Sequence, residues 1–129
     1  MQDKNGEGMI SLLIVADQPA MRKGLHMRLT AEPDLSVVGE ALDGETALNL
    51  ALSLCPDIVL IDADMPHNQG IATAETIHQI CPNSRVIIIS IHDDALLCQR
   101  AQDASAAAFV TKSLPADTLI DTIRQVAQP

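Results

Sequence analysis

Four polar residues stand where apolar runs break off: Asp17 after "LLIVA", Asp62 after "DIVLI", Ser90 after "RVIII", and Lys112 in "FVTK". A single acid at such a place ordinarily caps the helix that follows, and Asp17 alone reads that way. Two acids at neighbouring strand ends are different. Unpaired carboxylates a few ångströms apart repel, and they invite a shared proton or a cation. A few hard oxygen ligands, with room for water, suit Mg²⁺ better than zinc or calcium. Ser90 adds a hydroxyl and Lys112 a flexible ammonium. Together these groups form a cradle for a phosphoryl group, whose transfer depends mainly on positioning and charge neutralisation. A carboxylate can also be the nucleophile, which gives an aspartyl phosphate.

Such a cradle requires elements that bring the four residues to one edge. The runs 11–16, 35–41, 57–62, 85–90 and 107–111 are rich in β-branched residues and bounded by turn residues, so they read as strands. Three of them are apolar almost throughout, as strands covered on both faces must be. Met21, Leu25 and Leu29 recur at helical spacing after Pro19, and Pro33-Asp34 ends that helix. Further helices are expected over about 44–55, 70–80 and 94–104. The last helix begins at Ser113 and Pro115 and carries Leu119, Ile123 and Val126 on one face. Five βα units imply an α/β fold with a parallel sheet and helices on both faces. Sites in such sheets lie beyond the carboxyl ends of the strands, where all four residues fall.

The chain has 129 residues, enough for one domain with a real core. A charge of −9, from 17 acids and 8 bases, makes a poor surface for phosphate backbones, so direct DNA binding is not expected. Phe109 is the only aromatic residue, which leaves no base-stacking platform. Cys55, Cys81 and Cys98 form no C-x-x-C pair and read as reduced, packed thiols. No apolar run could span a bilayer, and residues 1–9 lack the basic start of a signal peptide. They read as a flexible N-terminal tail before a domain over 10–129, and a cytoplasmic location is expected.

The stretches "ADQPAMRKGL", "VVGEALDGETAL", "PDIVLIDADMP", "VIIISIHDDA" and "AAAFVTKS", in that order and spacing, are together specific. From about Ile10 to Ala127 the chain resembles the response-regulator receiver domains of two-component signalling. The resemblance is greatest to the receivers of LuxR-type transcription regulators. It implies a flavodoxin-like receiver fold with strand order 2-1-3-4-5. It also implies that Asp62 is the phosphoacceptor and that Mg²⁺ is held by Asp17, Asp62 and the backbone carbonyl of Asp64. Ser90 would be the switch hydroxyl, Phe109 the switch aromatic, and Lys112 the family's site lysine. A sensor histidine kinase or a small phosphodonor would supply the phosphoryl group. Phosphorylation would alter partner or homodimer contacts on the face of the fourth helix, fifth strand and fifth helix. DNA would be reached only through a C-terminal domain absent from these residues. Catalysis would be limited to the domain's own phosphorylation and dephosphorylation.

The pattern has departures. Receivers usually end the first strand with two acids, and here the first is Ala16. Loss of outer-shell support typically costs a metal site 10–100-fold in affinity. The Asp64 side chain is a candidate substitute. Gln18 stands where the LuxR-type branch commonly has His, and Ile91 is bulky. Ala16 is also the argument for a different function, a non-phosphorylated receiver-like module that acts by protein–protein contacts. A flavodoxin-like cofactor enzyme is a poorer reading, since no Gly-rich phosphate loop or stacking aromatics are present.

Several residues read more plainly. Asp57 is a turn acid, Asp93 and Asp94 are helix caps, and Gly70 is the turn glycine that launches the third helix. His26, His67, His78 and His92 lack metal-ligand spacing and read as surface or loop residues. In "GETALNLALSLCP" only Glu45, Thr46, Asn49 and Ser53 are polar. That helix is read as sunk deeper into the fold, with an exposed docking patch as the alternative.

Overall fold

The computed structural model describes residues 9–92, 95–112 and 114–128. The elements run β1 (Ile10–Val15), α1 (Pro19–Thr30), β2 (Leu35–Ala41), α2 (Gly44–Leu54), β3 (Ile58–Asp62), α3 (Gln69–Ile80), β4 (Arg85–Ser90), α4 (Ala95–Asp103), β5 (Ala108–Thr111) and α5 (Ala116–Ala127). The five strands form one parallel sheet in the order β2-β1-β3-β4-β5. The order is that of the flavodoxin-like folds, as anticipated, and each strand lies within a residue of its expected bounds. A short 3₁₀ turn, Pro66–Asn68, precedes α3 and had no counterpart in the sequence reading. Most of the expected N-terminal tail, the supposed caps Asp93 and Asp94, and Ser113 of the α5 start lie outside the described residues.

The reason for the uninterrupted apolar strands is visible in the core. Successive side chains of a strand point to opposite faces. Leu12, Ile14, Ile58, Leu60, Ile87 and Ile89 enter one cluster with Leu29 of α1 and Leu119, Ile120 and Ile123 of α5. Leu13, Val15, Val59, Ile61, Val86 and Ile88 enter the other, with Ala47 and Ala51 of α2, Ala74 and Ile77 of α3, and Ala101 of α4. Each large side chain so buried contributes about 1.5–3 kcal/mol, and both faces gain.

Gly70 has a different part from the one expected. It sits inside α3, not in a turn, and a Cβ there would lie 2.5 Å from the Asp62 carbonyl oxygen and 3.0 Å from Ala63 Cα. Only hydrogen lets α3 pack this close to the tip of β3. Asp57 also exceeds its expected part. Its Oδ2 accepts the Ser11 amide (2.9 Å) and hydroxyl (3.1 Å), while its own amide donates to Ser11 Oγ at 2.8 Å. This clip ties β1 to the start of β3, at the sheet end opposite the site. Helix α2 is not sunk: Leu52 is 56% exposed and Leu54 40%, and Cys55 after it is exposed rather than packed.

Helix α5, which follows Lys112 closely in sequence, is held by charge as well as by its apolar face. Arg124 donates to both Asp34 oxygens (Nε to Oδ2 2.9 Å, Nη2 to Oδ1 3.0 Å) and to Glu32 at 2.7 Å. Arg28 joins Glu32 and reaches Asp117 on α5. Hydrogen bonds from Arg28 and Arg124 hold the Glu32 carboxyl below its ordinary range, and Arg124 does the same for Asp34. Depressed acids stabilise the fold above their unfolded-state pKa and cease to do so as pH falls through the folded value. Arg124→Ala is therefore expected to melt below the wild type at neutral pH. The deficit should shrink below the ordinary carboxylate range and in high salt. Thermal melts across pH 2–8 and a salt series check this; a pH-independent deficit would contradict it.

Candidate functional site

Register brings three of the four strand-end residues together. Asp62 ends β3 opposite Ile89 of β4, and Ser90 ends β4 opposite Thr111 of β5. The Lys112 amide continues that ladder with a 2.7 Å bond to the Ser90 carbonyl. Asp62 is 2% exposed and Ser90 is wholly buried, so both polar groups must find partners inside.

The partners come from the loop after β3. Asp62 Oδ1 accepts the Asp64 amide at 2.8 Å and Lys112 Nζ at 3.0 Å. The Asp64 carboxylate also reaches the same ammonium, with Oδ2 3.0 Å from Nζ. Asp64 Oδ1 accepts the Ser90 hydroxyl at 2.7 Å, and Oδ2 accepts the Ile91 amide at 2.8 Å. Ser90 Oγ in turn accepts the His92 amide at 2.9 Å. Partial burial opposes ionisation of Asp64, but the bonds from Ile91, Ser90 and Lys112 outweigh it and hold its carboxyl below the usual range. Desolvation likewise works against the Lys112 ammonium, and the two carboxylates more than offset it and raise its pKa.

This bonding was missed in the sequence, where Asp64 was read for its carbonyl and as a stand-in for the acid lost at position 16. Its carboxylate faces β4 and β5 instead. The pairing of two acids in "IDADMP" was the only signal, and the loop geometry decides which way the second one turns. Asp17 does not cap α1. Gln18 holds the N-cap position, without a side-chain cap bond, and Pro19 occupies the first turn. Among the described residues the half-buried Asp17 carboxylate and Asp62 Oδ2 take no hydrogen bond. Ala16 is fully buried, and its carbonyl accepts Arg22 Nη1 at 2.7 Å. Phe109 is half-buried in β5 and packs on the cluster beneath α2, α3 and α4.

The histidines are largely as expected. The His26 side chain is partly exposed, and its Nδ1 lies 2.7 Å from a Glu40 oxygen. His67 is exposed with φ 62°, in the left-handed region that an L-residue adopts at a cost. His92 Nε2 is 3.9 Å from Asp64 Oδ1. Among the described residues no three His, Cys, Asp or Glu side chains converge on one metal position. Asp62 and Asp64 form an acidic cluster of the kind that holds a divalent cation, with room for only a few protein oxygens.

A buried carboxylate at a parallel strand tip, with a hydroxyl and an ammonium from the next two strands, defines a phosphoryl-handling switch domain. The family model for the response regulator receiver domain matches residues 12–124, and the chain belongs to that family. It is 32% identical to the transcriptional regulatory protein DegU of Brevibacillus brevis, over 99% of this chain and 54% of that one. It thus spans about half the length of the curated relatives it matches. A LuxR-family two-component response regulator from Aurantimonas superposes with a TM-score of 0.88 at 29% identity, covering 92% of this chain and 85% of that one. CheY of Borrelia burgdorferi, in a CheX–CheY–BeF₃–Mg²⁺ complex, gives 0.84 at 28%, covering 93% and 90%. Receiver domains signal by phosphorylation, in a phosphorelay with a kinase or small phosphodonor. No helix among the described residues is long and apolar enough to cross a membrane.

Lys112 lies within 3.0 Å of both the Asp62 and the Asp64 carboxylates, so its loss leaves like charges near each other in a half-buried pocket. Lys112→Ala is expected to lose about 1 kcal/mol of stability in chelator, after allowance for solvent screening. A divalent cation should restore most of it. Denaturant titrations with and without Mg²⁺ provide the check, and a variant as stable as wild type in chelator would contradict the bridge.

Proposed function

We propose that the chain is a phospho-accepting switch in which Asp62 receives the phosphoryl group. The observation that carries this is the placement of its buried carboxylate, with one oxygen on Lys112 Nζ and the other without a hydrogen bond among the described residues. An Asp62 oxygen attacks phosphorus as the donor's P–N or P–O bond breaks. The donor leaves with that electron pair, and Asp62 becomes a mixed anhydride. Attack by water later returns carboxylate and inorganic phosphate.

The donors fit a divalent ion. Asp17 and the second Asp62 oxygen are hard and uncommitted, and the Asp64 carbonyl would be the remaining protein ligand. Mg²⁺ held there would offset the charge of the phosphoryl oxygens. Lys112 would neutralise the other side, Ser90 would donate its hydroxyl, and Phe109 would follow Ser90 inward, biasing the α4-β5-α5 face between two arrangements. The transcription-regulator names of the relatives support an output through a DNA-binding effector domain, with residues 10–129 as the receiver. Homodimerisation of the phosphorylated domain, a sensor histidine kinase or small phosphodonor as donor, and a cytoplasmic location for this chain belong to the same reading.

A second reading, the non-phosphorylated interaction module, is favoured by one observation beyond Ala16: Asp64 already occupies Ser90 and Lys112. Incubation with phosphoramidate and Mg²⁺ separates the two. Intact-mass spectrometry is expected to show one added phosphate on wild type and none on Asp62→Asn. An unmodified wild type would favour the module, and modification surviving in Asp62→Asn would move the acceptor elsewhere.

A further inference from the structure

The Asp64 carboxylate has no part in the chemistry above, yet it holds the best donors near Asp62. It takes one hydroxyl (Ser90, 2.7 Å), one backbone amide (Ile91, 2.8 Å) and one ammonium (Lys112, 3.0 Å). These are the donor types a phosphoryl group on Asp62 would use. Their hydrogens can be counted. A hydroxyl and a backbone amide each have one, and both are spent on Asp64. Ser90 Oγ is fixed further by the His92 amide, which it accepts at 2.9 Å. Only Lys112 has a hydrogen to spare, since its ammonium carries three and two go to Asp62 and Asp64. A second anion therefore cannot reach Ser90 or Ile91 while Asp64 keeps them.

We propose that Asp64 is a positioning residue whose carboxylate stands in for the phosphoryl group. It keeps Ser90, Ile91 and Lys112 aimed at one anion seat and must vacate that seat when Asp62 is phosphorylated. The proposal rests on Asp62 as the phosphoacceptor. Two anions sharing one seat would repel strongly at this burial. An exit lies alongside: a cleft of about 340 Å³ is lined by Asp64, His67, His92, Leu96 and Arg100. A carboxylate turned into it exchanges Lys112 for the Arg100 guanidinium and two imidazoles. The nearer of these, His92 Nε2, is already 3.9 Å from Asp64 Oδ1. The consequence is a trade. The donors are ordered in advance, but any anion must displace the resident one, and its apparent affinity falls by the fraction of time the seat is open.

The test follows the Ile91 amide proton by NMR in wild type, Asp64→Ala and Asp64→Asn, first in chelator and then through a beryllofluoride titration at saturating Mg²⁺. In chelator the wild-type amide should resonate downfield, as a proton bonded to a carboxylate does, and both substitutions should move it upfield. Beryllofluoride should return it downfield in the variants and change it little in wild type. Both variants should bind beryllofluoride at least fivefold more tightly than wild type. Should the alanine variant fail to fold, the asparagine variant carries both measurements. Equal or weaker binding in the variants, or an Ile91 amide unmoved by substitution, overturns the proposal. If no protein binds beryllofluoride, Asp62 as phosphoacceptor falls and the proposal with it. That result is recognisable because the chelator spectra do not depend on it.

Discussion

One ammonium between two carboxylates is the interaction on which the site depends. Like charges about 4 Å apart at an effective dielectric near 20 repel by roughly 4 kcal/mol before screening. Asp62 and Asp64 both approach Lys112 Nζ at 3.0 Å, so its single charge serves both. Asp62 is almost wholly buried and cannot turn to water for relief. The loop responds by bonding: the Asp64 amide goes to Asp62, and its carboxylate goes to Ser90 and Ile91. The arrangement gives Asp62 Oδ1, Asp64 and Ser90 their partners, while the Asp17 carboxylate and Asp62 Oδ2 take no hydrogen bond among the described residues.

The remaining structure maintains this geometry. Parallel register sets Asp62, Ser90 and Lys112 on successive strand tips, and hydrophobic clusters on both faces lock the register, since a one-residue slip would exchange the faces. Gly70 lets α3 come close behind the β3 tip. Arg124 fastens α5, soon after Lys112, to the turn that leads into β2, and Arg28 fastens it to α1. Position 16, beside Asp17 at the end of β1, is a buried alanine, and the carboxylate nearest Asp62 among the described contacts is that of Asp64. The Asp64 carboxylate lies beside Lys112, where it competes with an incoming anion.

Much of this was legible in the sequence because its causes are local. Strands such as "IVLI" declare two covered faces by lacking polar residues, and residues at their ends fall on one edge whatever the details of packing. What could not be read depended on loop direction or on close approach. The side chain of Asp64 is aimed by three residues of irregular backbone, and no periodicity records that. Gly70 looks like a turn glycine until α3 is packed against Asp62. In α2 a nearly unbroken apolar run suggested deep burial, yet Leu52 and Leu54 face outward because the helix buries only the stripe containing Ala47 and Ala51. The Asp57 clip pairs residues 46 positions apart and has no local signature.

The central claim is that one anion seat serves both Asp64 and a phosphoryl group on Asp62. A crystal structure of the domain with Mg²⁺ and beryllofluoride tests it most directly. The account predicts beryllofluoride on Asp62, its fluorines bonded to Ser90 Oγ, the Ile91 amide and Lys112 Nζ, with the Asp64 carboxylate turned into the cleft beside His92 and Arg100. Beryllofluoride seated on Asp62 while Asp64 still holds Ser90 and Ile91 would contradict it.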